Sequence, residues 1–275
     1  MALVTLSEIL KLAEEKQTAI PSFNIDNIEG TQAIMEAVEM ESSPVILTIG
    51  QGAIRAGQLW HLSDVVRRVA RESRLPIVMN LDHGASFEQV MLALRAGFTS
   101  VMYDGSHKSL EDNIRESQAV VRAAHAVGVS VECELGAVPG AEDGHIYSNT
   151  NLVDLSELEI FISKVDCDAL AVGIGNVHGL SNIVPMLDFD RLRACRKLDA
   201  PPLVLHGGSG IPDDMIQKAI QMGIRKVNVA SELRAVFMRS LQDGSKTGDF
   251  YAMYRQAKQG VTDLAARKIR LIYGV

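Results

Sequence analysis

The sequence predicts an α/β fold of the (β/α)8 barrel type, and three observations predict it. Short β-branched runs recur along the chain, segments of helical periodicity separate them, and there are eight such runs. Strict alternation of strand and helix implies a parallel sheet covered by helices, and eight units are the number that closes a barrel. The 275 residues leave room for two domains at roughly 150 residues each, but barrels commonly use about 250 as one. No linker or low-complexity stretch divides the chain, so the expectation is one barrel domain over residues 1–275.

In order, Ser7–Lys16 predicts a helix ahead of the barrel, and Ala19–Phe23 predicts the first strand. The helix after it has Asn27 as its cap and Ile34, Ala37 and Val38 on one face. Val45–Thr48 is the second strand, followed by a helix capped by Ser63. Ile77–Leu81 leads to the Ser86 cap and the apolar pair Val90 and Leu94. Ser100–Tyr103 precedes the Ser109 cap, and Ser130–Glu134 precedes the long connection 136–153, whose three glycines read as a mobile lid before the Asp154 cap. Ala169–Gly173 is the sixth strand. Leu203–Leu205 runs into a helix over Pro212–Met222, and Lys226–Val229 into a helix capped by Ser231. Asp249–Lys268 predicts a helical C-terminal extension. A doubly wound sheet would need a Gly-rich phosphate loop after its first strand, where FNIDNIEGT stands instead.

Composition narrows the partners. Lys plus Arg is 27 against 34 for Asp plus Glu, and a formal charge of −7 repels a polyanion, which argues against nucleic acid. Cys133, Cys167 and Cys195 form no C-x-x-C pair and are odd in number, which favours a reducing compartment, the cytoplasm. Neither a secretory leader nor an apolar run of about 18 residues is evident, so no membrane role is expected.

In a barrel, residues at the C-terminal ends of strands share one mouth. Asp82, His83, Asp104, Glu134, His178, His206 and Asn228 stand at or just beyond such ends. Three histidines from different strands suit a borderline metal such as Zn²⁺, so His83, His178 and His206 are the candidate ligands. Glu132 and Glu134 are two apart and point to one side of their strand, where two carboxylates need a cation or donors. HGGSG lies between a strand and a helix, so Gly207, Gly208 and Ser209 can cradle a phosphate together with Asn228 and Ser231 of NVASE. That pairing matches the barrel phosphate site after strands seven and eight.

The segments SFNIDN, LDHG, YDGSH, VECELG, GAEDG, IGNVHG, LVLHGGSGI and KVNVASEL, in this order over nearly the whole chain, resemble the class II, metal-dependent ketose-bisphosphate aldolases. The resemblance implies that His83, His178 and His206 hold a catalytic Zn²⁺ and that Asp104 and Glu134 can hold a second divalent or a monovalent cation. It implies Asp82 as the acid/base, Glu142 as the group that transfers the C3 proton, and Asn24 as a substrate contact. Gly179, Gly207, Ser209, Asn228 and Ser231 would hold the phosphate of dihydroxyacetone phosphate. It also implies a homodimer or homotetramer acting on a small sugar phosphate. The chemistry agrees: breaking C3–C4 leaves an enediolate, which a Lewis-acidic metal stabilises. The Schiff-base route needs a desolvated lysine at a strand's C-terminal end, and Lys226 and Lys108 are not so placed.

The chain departs from the family's pattern at three places: at the aldehyde end, near the phosphate and within NVASE. Gly50 stands where many members have a hydroxyl, HGLSN lacks an aromatic residue followed by lysine, and Ala230 replaces a polar residue, which leans toward tagatose 1,6-bisphosphate ahead of fructose 1,6-bisphosphate. Arg55 becomes the candidate for a distal anion, and Arg267 or Arg270 for an arginine lent to a neighbouring subunit. Two rivals have different chemistry: a metal-dependent barrel hydrolase, which would not require the phosphate loops, and a non-catalytic sugar-phosphate-binding barrel, which would not require Asp82 or Glu142.

Overall fold

Runs such as Val45–Ile49 contain no position polar enough to face water, so they must be covered on both sides, as the strands of a parallel sheet are. The computed structural model, which describes residues 3–142, 145–147, 152–180 and 185–274, bears this out. The strands are β1 (Ile20–Asn24), β2 (Val45–Ile49), β3 (Ile77–Gly84), β4 (Ser100–Tyr103) and β5 (Ser130–Leu135), a short pair β6 (Gly140–Glu142) and β7 (His145–Tyr147), then β8 (Ala169–Val172), β9 (Leu203–Leu205) and β10 (Ile224–Val229). All but the short pair close into a parallel barrel in the order β1-β2-β3-β4-β5-β8-β9-β10. Every residue of those eight strands is buried. The connection 136–153, expected as a loop, carries the β6–β7 antiparallel hairpin.

Around the barrel run α1 (Leu6–Lys16), α2 (Ile28–Met40), α3 (Gln51–Arg55), α4 (Leu59–Glu72), α5 (Phe87–Arg95), α6 (Leu110–His125), α7 (Leu155–Lys164), α8 (Phe189–Lys197), α9 (Asp213–Gln221), α10 (Ser231–Ser245) and α11 (Phe250–Tyr273). Helix α1 starts with a capping box in which Thr5 and Glu8 satisfy each other's backbone donors. Its buried face, Leu6, Ile9, Leu10 and Ala13, packs against β1, β3, β5 and β10. Each fully buried leucine or isoleucine there is worth about 1.5–3 kcal/mol. Helix α11 runs longer than the extension expected, and it packs against α10 and α2.

Two caps differ from expectation. Ser63 lies inside α4, which begins after Gln58, and its hydroxyl donates to the Trp60 carbonyl one turn back. Ser231 is the first residue of α10, with Ala230 at the cap position. Asn27, Ser86, Ser109 and Asp154 do cap their helices, each accepting from backbone N–H groups two or three residues on. Among the described residues, no helix is long and apolar enough to cross a membrane.

Candidate metal and phosphate site

Strand neighbours point to opposite faces, so Asp82 and His83 should not both reach the mouth. They do, because β3 shifts register against β4 between Leu81 and Gly84, and His83 takes a left-handed backbone, φ 47°. A left-handed histidine costs energy that the surroundings must supply, and such residues concentrate at functional sites.

The three histidines meet. Ring centroids are 5.0 Å apart for His83 and His178, 4.7 Å for His83 and His206, and 5.7 Å for His178 and His206. One ring nitrogen from each lies within 4.8 Å of the others. Carboxylates fix the tautomers from outside: His83 Nδ1 lies 2.9 Å from Asp104 Oδ2, and His206 Nε2 lies 2.8 Å from Glu132 Oε1. With those hydrogens donated outward, His83 Nε2 and His206 Nδ1 confront each other at 3.0 Å as two acceptors. Only a cation shared between them relieves that contact, and a divalent metal with three imidazole donors fits. Without a metal the cation is a proton: burial pulls the His83 pKa down, but Asp82, Asp104 and Glu134 outweigh it and raise it well above the usual range. For His206 burial prevails over Glu132 and Asp82, and its pKa is lowered.

His83, Asp104 and Glu134 form a second set of potential ligands, also within 4.8 Å of one another. Asp104 Oδ1 accepts from the backbone N–H and hydroxyl of Ser106 at 3.0 and 2.7 Å. Burial would raise the Asp104 pKa, but the hydrogen bond and charge of His83 hold it below the usual carboxylate range. Glu134 is driven the opposite way, well above its ordinary value, by burial and by Asp104 beside it. Two neighbouring carboxylates pushed apart in this way accommodate an added cation without further buried charge.

Asp82 is 1% exposed, and two amides grip it: Asn24 Nδ2 at 3.3 Å and Asn228 Nδ2 at 3.2 Å. Both asparagines were expected as substrate contacts, and the structure also makes them the holders of Asp82. Gln51 donates to the Asp82 carbonyl at 3.1 Å and exchanges two hydrogen bonds with Gln89, an arrangement the sequence did not reveal. Asn176 of IGNVHG bonds the His206 carbonyl at 3.0 Å, tying two ligand strands together.

The phosphate loops lie side by side. Gly208 donates its N–H to the Asn228 carbonyl at 2.9 Å. At Gly207, φ is +62° and a Cβ would stand 2.2 Å from the Val177 carbonyl oxygen, so only glycine fits. The Ser209 hydroxyl, expected to face the phosphate, accepts from the Ala230 and Glu232 N–H groups at 3.3 Å each and so joins the two loops. Glu232, not anticipated, accepts the Gly210 N–H at 2.7 Å and pairs with Lys268 at 2.9 Å. Gly179 follows His178 in a left-handed turn, and Ser231 opens α10 at the edge of the cradle.

Glu142 ends β6, and its side chain lies outside the described residues. The backbone before it is anchored at the site: Gly140 pairs with His178, whose N–H donates to the Pro139 carbonyl at 2.6 Å. Of the residues expected at the aldehyde end, Gly50 caps α3 without a side-chain bond, and Arg55 ends α3 exposed. Arg267 pairs with Asp213 at 3.4 Å, and Arg270 pairs with Glu41.

The sequence profile described as class II fructose-bisphosphate aldolase matches residues 4–274. The fructose-bisphosphate aldolase of Geobacillus stearothermophilus is 42% identical over 246 residues, covering 88% of this chain and 86% of that protein. That of Thermus caldophilus is 41% identical, with 86% and 85% covered. Among solved structures, the YdjI aldolase from Escherichia coli K12 superposes with a TM-score of 0.89 at 31% identity, covering 98% of this chain and 97% of that one.

Proposed function

This chain belongs to the class II fructose-bisphosphate aldolase family, and from that premise we propose how it works and on what. It is a lyase that reversibly cleaves a ketose 1,6-bisphosphate of the tagatose or fructose type, or a ketose 1-phosphate, into dihydroxyacetone phosphate and an aldehyde such as glyceraldehyde 3-phosphate. The observation that carries this is the ring of His83, His178 and His206 beside a gripped, buried Asp82.

In this reading the three histidines hold Zn²⁺, with Asp104 and Glu134 able to hold a second divalent or a monovalent cation. The metal supplies Lewis acidity, worth several kcal/mol, for the negative charge that develops on the dihydroxyacetone half when C3–C4 breaks. Asp82 takes the proton from the C4 hydroxyl, aimed by Asn24 and Asn228. Glu142 moves the proton at C3. Backbone N–H groups of Gly207 and Ser209, with Gly179, Asn228 and Ser231, bind the C1 phosphate at the mouth, while the Gly208 and Gly210 N–H groups, committed to the Asn228 carbonyl and to Glu232, shape the loop. Arg55 is the candidate for the distal anion, the assembly is a homodimer or homotetramer, and the compartment is the cytoplasm. A hydrolase would activate water with the same metal, but it has no use for a phosphate cradle beside the acid/base and belongs to another family.

The deciding experiment is a panel of ketose phosphates with coupled detection of dihydroxyacetone phosphate, with and without chelator. Release from a bisphosphate or 1-phosphate that chelator abolishes supports the reading. Release that chelator leaves untouched, or none from any ketose phosphate, refutes it.

A further inference from the structure

Behind the histidine ring, His206 is joined to two buried groups, Glu132 and Lys226, that the aldol reaction itself leaves without a task. Lys226 Nζ donates to Glu132 Oε2 at 2.6 Å, and Glu132 Oε1 accepts from His206 Nε2 at 2.8 Å. All three side chains are 0% exposed. An ion pair buried this deeply is a poor device for stability, since apolar side chains of the same volume usually serve as well or better. Its geometry suits a different purpose.

We propose that Lys226 is a positioning residue for the metal centre: it locks Glu132 so that His206 gives its Nε2 hydrogen away and turns Nδ1 to the other imidazoles. Lys226 stands on β10, Glu132 on β5 and His206 at the end of β9, so the chain also crosses the barrel interior and ties three strands to one ring orientation. Asp104 serves His83 in the same way from the mouth side at 2.9 Å. Lys226 thus acts through two other groups and touches neither metal nor substrate. The inference rests on the reading that the three histidines hold a metal. Carboxylates that orient ligating histidines in this fashion typically change metal affinity 10–100-fold when lost.

The test uses the full-length protein, stripped of metal and titrated with zinc against a chromophoric chelator, with the Co²⁺ absorption spectrum as a second readout. Lys226→Met leaves the buried Glu132 carboxylate with His206 as partner but without its lysine and is exposed to misfolding, so the double variant Lys226→Met/Glu132→Leu accompanies it. We expect the double variant to keep the thermal transition of the metal-free wild type yet to bind zinc about 10–100-fold more weakly, with an altered Co²⁺ spectrum. Lys226→Met, where it folds, should show the same loss. Wild-type zinc affinity and an unchanged spectrum in the double variant, or in folded Lys226→Met, would overturn the proposal while leaving the metal reading intact. A wild-type protein that binds no zinc would overturn both.

Discussion

Two regions of the mouth, proposed above for the two ends of a substrate, are unlike. The region proposed for the dihydroxyacetone end consists of buried groups oriented by their neighbours: His83 by Asp104, His206 by Glu132, Asp82 by two asparagines, the glycine cradle by the Asn228 carbonyl. The region proposed for the aldehyde end is α3, a five-residue helix with no side-chain cap and an exposed arginine at its close. Reaction chemistry demands groups fixed to fractions of an ångström, whereas recognition of a distal anion tolerates a solvated side chain. The difference predicts that changes on the first side abolish turnover and changes on the second shift selectivity.

The sharpest way to break that comparison is to remove the metal. Chelation should abolish activity and Zn²⁺ or a similar divalent ion should restore it, while borohydride with substrate should trap no adduct. Full activity in metal-free protein would mean the buried ring is not the chemical centre. Next in size, Asp82→Ala should keep zinc stoichiometry by metal analysis and lose cleavage by about 10²–10⁴-fold, the range for a positioned acid/base. Wild-type turnover with metal bound would strike Asp82 from the chemistry. Glu142→Ala should slow turnover together with solvent deuterium exchange at C3 of dihydroxyacetone phosphate, with metal content unchanged. Exchange at the wild-type rate would remove Glu142 from that step. The smallest effect belongs to the aldehyde end: Arg55→Ala should raise KM for a bisphosphate by about fivefold at most, the scale of an exposed ion pair, and leave KM for a 1-phosphate unchanged. Equal effects on both substrates would place the distal contact in another loop or a neighbouring subunit.

The sequence made the site legible because the barrel turns a position along a strand into a place in space. Once eight strands are found, Asp82, His83, His178 and His206 are neighbours by topology although up to 124 residues separate them. What stayed hidden has physical causes. Nothing in the identity of His83 signals a positive φ, so the register shift that brings it to the mouth beside Asp82 could not be read. Lys226 does not end its strand, a position that argues against a Schiff base and signals no other task. Its long stem spans the interior to Glu132, a partner 94 residues away. Ser209 offered a hydroxyl in a glycine loop, and sequence has no means of telling that α10 would claim it. Ser63 and Ser231 lie inside their helices, whose cap positions, Gln58 and Ala230, make no side-chain bond, so no capping side chain marks either start.

The backbone link between Gly140 and His178 has a thermodynamic corollary. Glu142 is two residues beyond Gly140, and His178 sits one peptide hydrogen bond from Pro139, so the hairpin and the imidazole share a single mechanical joint. Free energies of binding and of local opening are then reciprocal: whatever factor zinc contributes to closing this joint, a closed joint returns to zinc. Amide hydrogens of 140–142 should therefore exchange more slowly in the zinc-loaded protein than in the stripped one, by the same factor as holding the hairpin closed would tighten zinc. The acid/base of the C3 step would in that case be summoned to the site by the occupancy of the site itself.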